Sequence, residues 1–263
     1  MVGGIESVMH PASYYQHHYG RNMMTMQIRA LGFDASDPIR LAGFWANALG
    51  WDIHNEIANG VELIPTDGTR FGIVFRQSIL EEKREKNRLH FDLTTTSIDD
   101  QTDTVERLLA LGACHIDIGQ GSDEPHVVLA DSEGNEFCVI EPTNSFLADC
   151  DRLGSITCDG SPEVGRFWSN ALGWPLVWDQ DEETAIRAPD GTGPFITWGP
   201  PARPKVMKNR LHLEIAPASG NDWQAEVERL VALGAIHAGS NEEGRVSMLD
   251  PDGNEFIVLT GAS

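Results

Sequence analysis

The chain has 263 residues and a formal charge of −21 at neutral pH. So acidic a balance disfavours nucleic acid and anionic membrane surfaces as partners, since both are held by lysine and arginine. No apolar run reaches the ~18 residues a membrane helix needs. The four cysteines, Cys114, Cys138, Cys150 and Cys158, contain no Cys-x-x-Cys pair, so a reduced, cytoplasmic protein without a disulfide framework is expected.

Residues 1–25 differ from the rest: they hold Tyr14, Tyr15 and Tyr19, all three tyrosines of the chain, together with His10, His17 and His18. They lack a basic start with an apolar core, so they do not read as a signal peptide; a disordered or extraneous tail is expected. From Met26 the pattern is strand, then helix. Residues 27–33 alternate as a half-buried strand should. Asp37 before Pro38 offers an N-cap with proline at the first helical position. Ile39, Leu41, Phe44, Trp45, Ala48 and Leu49 recur on one helical face, and Gly50 supplies a left-handed C-cap. Strands are expected near 51–53, 60–64 and 71–75, the last after an Asp67-Gly68 turn.

The order β-α-β-β-β begins again at Leu89-His90-Phe91-Asp92-Leu93. Its helix carries Val105, Leu108, Leu109 and Leu111 and is closed by Gly112, and its last strand, Glu136 to Ile140, follows a turn at 131–135. Residues 144–151 read as a linker. The plan then repeats from Leu153 to Thr260, with helices near 162–172 and 221–233.

This second part restates the first. Lys86-Asn87-Arg88-Leu89-His90 returns 122 residues on as Lys208-Asn209-Arg210-Leu211-His212. Phe44-Trp45-Ala46-Asn47-Ala48-Leu49-Gly50-Trp51 returns as Phe167-Trp168-Ser169-Asn170-Ala171-Leu172-Gly173-Trp174, and Gly134-Asn135-Glu136-Phe137 as Gly253-Asn254-Glu255-Phe256. Collinear matches at nearly one offset mark a tandem duplication. The expected domains are 26–143 and 152–261.

Paired β-α-β-β-β units, a helix ending Ala-Leu-Gly and an Asp-Pro-Asp-Gly-Asn turn into a final strand resemble the vicinal oxygen chelate superfamily, which includes glyoxalase I, extradiol dioxygenases and bleomycin-binding proteins. Lys-Asn-Arg-Leu-His with Gly-Asn-Glu-Phe-Cys looks like its glyoxalase-like branch. The resemblance implies an α+β fold of tandem domains, each with two β-α-β-β-β units forming a cup-shaped, eight-stranded sheet around a pocket.

The superfamily's metal enzymes take one ligand from the first strand of each unit and a carboxylate from the last. Here those positions fall on Ala30, His90 and Cys138 in the first half and on Ser155, His212 and Ile257 in the second. Residues 69–76 and 192–199 contain no Asp or Glu at the remaining positions, and Glu141 and Glu214 stand out of register. One matching ligand per half is too few to hold a divalent ion against water.

The expectation is therefore a monomeric protein that binds a small aromatic or amphipathic molecule in a metal-free pocket, as in sequestration or resistance, with a metal-free isomerase or cyclase as a variant. No cofactor is expected; if a divalent metal is held, His90 or His212 is its ligand. The alternative is a metal-dependent lyase, isomerase or dioxygenase of the glyoxalase I type. His90 and His212 are the candidate catalytic residues, and Trp198, Cys138, His90 and His212 the candidate ligand-binding ones. Trp45, Trp51, Trp168 and Trp174 are expected in the core.

Overall fold

The computed structural model describes residues 26–57, 60–80, 83–121, 124–201, 203–219, 221–240 and 244–260, with the backbone alone at 55–57. The expected tail, with its histidines and tyrosines, and the final residue of the second expected domain lie outside them.

Four β-α-β-β-β units follow one another. The first holds β1 (Met26–Ala35), α1 (Pro38–Leu49), β2 (Asp52–Ile57), β3 (Gly60–Ile64) and β4 (Gly72–Gln77). The second holds β5 (Leu89–Leu93), α2 (Ile98–Ala110), β6 (Cys114–His115), β7 (Val127–Ala130) and β8 (Glu136–Val139). The third holds β9 (Leu153–Asp159), α3 (Pro162–Leu172), β10 (Leu176–Gln180), β11 (Glu183–Ile186) and β12 (Phe195–Gly199). The fourth holds β13 (Leu211–Pro217), α4 (Trp223–Ala232), β14 (Ile236–Ser240), β15 (Arg245–Leu249) and β16 (Glu255–Leu259). Helix ends follow local chemistry. Asp37 accepts the Arg40 N–H at 3.1 Å at the start of α1, and Gly50 closes it at φ 74°, where a Cβ would be strained.

The α+β fold of eight-stranded sheets is as expected, but the units that share a sheet are not. One sheet has the order β14-β15-β16-β13-β1-β4-β3-β2 and the other β10-β11-β12-β9-β5-β8-β7-β6. The first unit is thus completed by the fourth, and the second by the third, rather than each half closing its own sheet. The reason lies in the edges. Within every unit the first strand pairs in parallel with the last and leaves its other side open. An open edge must find a partner, and any first strand of another unit supplies one. The antiparallel pairs β1–β13 and β5–β9 fill that need.

Packing follows the halves. Trp45 of the first unit meets Phe91 and Phe137 of the second at ring-centroid distances of 4.9 and 5.1 Å, and Trp168 meets Phe256 at 5.0 Å in the other half. Trp45, Trp51, Trp168 and Trp174 are all buried.

The repeated Lys-Asn-Arg-Leu-His segment is a tie between sheets. Arg88, just before β5, donates to the carbonyl of Asp252 in the other sheet's last turn at 3.1 Å, and Arg210, before β13, donates to the carbonyl of Glu133 at 2.8 Å. Asn87 and Asn209 donate to Asn135 and Asn254 in those same turns at 3.1 and 3.0 Å. The indole N–H of Trp45 reaches Asp131 at 3.1 Å and that of Trp168 reaches Asp250 at 3.3 Å. The strongest sequence repeats are thus the parts that lock the duplicated units together.

Candidate site on the concave face of the second sheet

Side chains two apart on a strand share a face, so His90 and Asp92 both project from β5 into the concavity of the second sheet. Register brings neighbours to them. Asp92 pairs with Cys138 on β8 and with Ser155 on β9, His90 pairs with Thr157, and Thr157 pairs with Thr197 on β12. The hydroxyls of Ser155 and Thr157 each donate to one Asp92 oxygen at 2.5 Å, and Thr197 donates to Thr157 at 2.9 Å. The second Asp92 oxygen faces His90 Nε2 at 3.5 Å.

An apolar wall surrounds this polar floor. Val128, Cys138, Ile140, Leu147, Ala185 and Phe195 pack together there, with Ile116, Ile118 and Trp178 against them. Phe146 stacks on Phe195 at 4.4 Å. The Trp178 indole N–H is buried and finds no hydrogen-bond partner among the described residues. A cavity of about 600 Å³ lies beyond this face, lined mainly by Glu85 to Arg88 and Arg203 to Asn209; Ile116 and Ile118 of the wall reach it, and the floor residues and Phe195 do not.

Trp198 is a correction. It is 3 % exposed and lies in the main core under α3, where a Cβ on Gly165 would come within 3.1 Å of its ring. Alternation along β12 turns Phe195 and Thr197 to the concavity and Ile196 and Trp198 away from it. Trp178, two strands further out on β10, is the indole beside the site.

The first sheet's concave face is built differently. His212 and Glu214 repeat the spacing of His90 and Asp92, but Glu214 is ringed by cations. Arg76 binds both its oxygens, Arg245 donates to it at 2.6 Å, and His212 Nε2 lies 3.5 Å away. Burial alone would raise the Glu214 pKa; the His212, Arg245 and Arg76 contacts outweigh it and hold the carboxyl at about 2. The His212 ring lies against Gly32, where an added Cβ would stand 2.2 Å from Nε2. The strand pairing therefore separates His90 from His212: His90 keeps company with Cys138, and His212 with Ile257, the partner of Glu214 on β16.

The two faces differ as hosts for a divalent ion. In the second sheet a ring nitrogen of His90, an oxygen of Asp92 and Sγ of Cys138 lie within 4.8 Å of one another. That donor set suits a borderline ion such as zinc. It competes with what the residues already do. Asp92 is engaged by two hydroxyls, and burial and the adjacent carboxylate push the Cys138 thiol up, favouring its protonated form. In the first sheet two guanidinium groups occupy the Glu214 carboxylate, and a cation does not fit beside His212.

Asp92, Thr157 and Thr197 were not singled out from the sequence, and Ser155 entered only as a ligand position without a metal-binding side chain. The i, i+2 spacing of His90 with Asp92, repeated in His212 with Glu214, is the signal that could have found the first of them. The hydroxyls come from the third unit and needed the sheet pairing.

The comparisons agree with this architecture. The family model of the glyoxalase-like domain matches residues 30–140 and 155–259. No curated protein matches the chain in sequence. Glyoxalase I from Zea mays superposes with a TM-score of 0.58 at 13% identity, covering 89% of this chain and 92% of that one. A putative dioxygenase from Bacillus subtilis superposes with a TM-score of 0.58 at 13% identity, covering 91% and 86%. Identity this low speaks for the fold alone. With two copies of the family's domain along its length, the chain belongs to the glyoxalase-like family of the vicinal oxygen chelate superfamily.

Proposed function

We propose that the chain binds a small aromatic or amphipathic molecule on the concave face of its second sheet, without a metal ion. The observation that carries this is the juxtaposition of a hydrogen-bonding floor, His90, Asp92, Ser155, Thr157 and Thr197, with the aromatic wall of Phe195 and Trp178. Apolar enclosure with a few convergent polar groups is what a small-molecule site requires. Asp92 orients His90, so the imidazole can also take a proton from a bound ligand, which admits a metal-free isomerisation or cyclisation. The first sheet, its floor closed by the Arg76–Glu214–Arg245 cluster, serves as support. Four unpaired cysteines favour a reducing compartment, and no helix among the described residues is long and apolar enough to cross a membrane.

The test is ligand-observed NMR of chelator-treated protein against a panel of small aromatic molecules. Hits are expected to vanish in His90→Ala and to persist in His212→Ala. Hits indifferent to His90, or none at all, would refute the proposal.

A second reading rests on the His90, Asp92 and Cys138 donors. With a divalent ion held there, the site would supply Lewis-acid polarisation of a substrate oxygen. One equivalent of zinc bound tightly by the chain, and lost in His90→Ala and in Cys138→Ser, would establish that reading over the first.

A further inference from the structure

The segment joining the two halves does more than connect them. Residues 141–151 run along the concave face of the second sheet and are fastened there behind Phe146. Leu147 is buried in the apolar wall. Arg187 donates to the carbonyl of Asp149 at 3.1 Å, and Thr94 donates to that of Asp151 at 2.8 Å. Phe146 itself remains 39 % exposed. Its ring stacks on Phe195 at 4.4 Å and 29° and meets Trp178 edge-on at 6.0 Å and 73°. Phe195 is the strand partner of Ser155, which binds Asp92.

We infer that Phe146 is a built-in occupant of the aromatic wall, and that the ligand is a neutral planar aromatic molecule bearing a hydroxyl or carbonyl, which displaces that ring and stacks on Phe195 in its place. This rests on the reading of the same face as the ligand site. Three features define the class. The ring arrangement already shows that a flat six-membered ring is accommodated between Phe195 and Trp178. The Trp178 indole N–H, buried without a partner among the described residues, supplies a donor for an oxygen on the incoming ring. The Asp92 carboxylate on the floor accepts from a hydroxyl, and the Arg187 guanidinium, 4.5 Å from the centroid of the Phe195 ring, offsets its charge, so a neutral ligand suits the face. Displacement needs only rotation of the Phe146 side chain, because the chain around it is tied at Leu147, Asp149 and Asp151. The resident ring lowers apparent affinity by the fraction of time it occupies the face.

The probe is 2-naphthol, followed by fluorescence titration of the whole chain and its variants. Phe146→Ala is expected to bind it about two- to tenfold more tightly than the parent, the range an aromatic pair represents. Phe195→Ala should abolish binding in either background, and Trp178→Phe, which keeps a ring but loses the N–H, should weaken it. Thermal unfolding of each variant confirms that it is folded. Binding that is lost in Phe195→Ala yet unchanged or weakened by Phe146→Ala would overturn the inference and leave the site standing. Absence of binding by parent and Phe146→Ala alike would overturn both.

Discussion

Replacing Glu214 by glutamine removes the negative charge that Arg76, Arg245 and His212 share and leaves a single neutral acceptor, and the consequence can be worked as a function of pH. The carboxyl sits at about 2 in the fold against an ordinary 4.5, and its side chain is 2 % exposed, so solvent screening is slight. At about 1.4 kcal/mol per unit, that depression represents about 3 kcal/mol of stability at pH 7. A depressed carboxyl stabilises the fold above its unfolded value and loses that contribution as pH falls through the folded one. By the same linkage about 1.4 kcal/mol remains at pH 3, and almost none below pH 2. The assay is chemical denaturation of the parent and Glu214→Gln at pH 7 and pH 3. The difference between them should shrink by about 2 kcal/mol over that interval. A difference that is the same at both pH values would show that the cluster does not hold Glu214 ionised, and would refute the account of the first sheet.

Other outcomes follow from single contacts. Gly32→Ala should lower stability by about 1–3 kcal/mol, because the new methyl group and the His212 ring cannot share the space; unchanged denaturation would contradict the close packing. Trp45→Phe should cost about 1–3 kcal/mol by taking an indole donor from buried Asp131, and Trp168→Phe should cost a similar amount at Asp250; losses confined to one half would show that the two ties are not equivalent. With a thiol reagent at neutral pH, exposed Cys114 should react first, while buried Cys138 and Cys158, whose pKa values burial raises, should stay silent until denaturant is added. Fast modification of Cys138 would mean that the floor of the second sheet is open or its thiol ionised.

Local chemistry made the elements readable. Asp37-Pro38, the apolar face through Leu49, and Gly50 mark α1 from end to end, and the same signals recur around 162–173. Pairing was a different matter. The four first strands carry similar apolar patterns, and nothing in β1 distinguishes β13 from β5 as its neighbour; the choice is made by which open edges the connections bring together. That choice decided the site. His90 and Cys138 could be named from strand position, but Ser155, Thr157 and Thr197 belong to another unit and join them only through β9 and β12. Trp198 was misplaced because one residue of register reverses a strand's faces, and in the repeated Lys-Asn-Arg-Leu-His segment the first three residues, Lys86 to Arg88 and Lys208 to Arg210, tie turns and sheets together. The contrast between two hydroxyls on Asp92 and two guanidinium groups on Glu214 depends on contacts between distant units, which no local pattern encodes.

The most direct test of a metal-free ligand site on the second sheet is a calorimetric titration of the chelator-treated chain with 2-naphthol, run with and without one equivalent of zinc. The account predicts saturation at about one molecule per chain, with the same affinity in both runs. Binding that appears only when zinc is present would make the His90, Asp92 and Cys138 cluster a metal centre and contradict the account, as would silence in both runs.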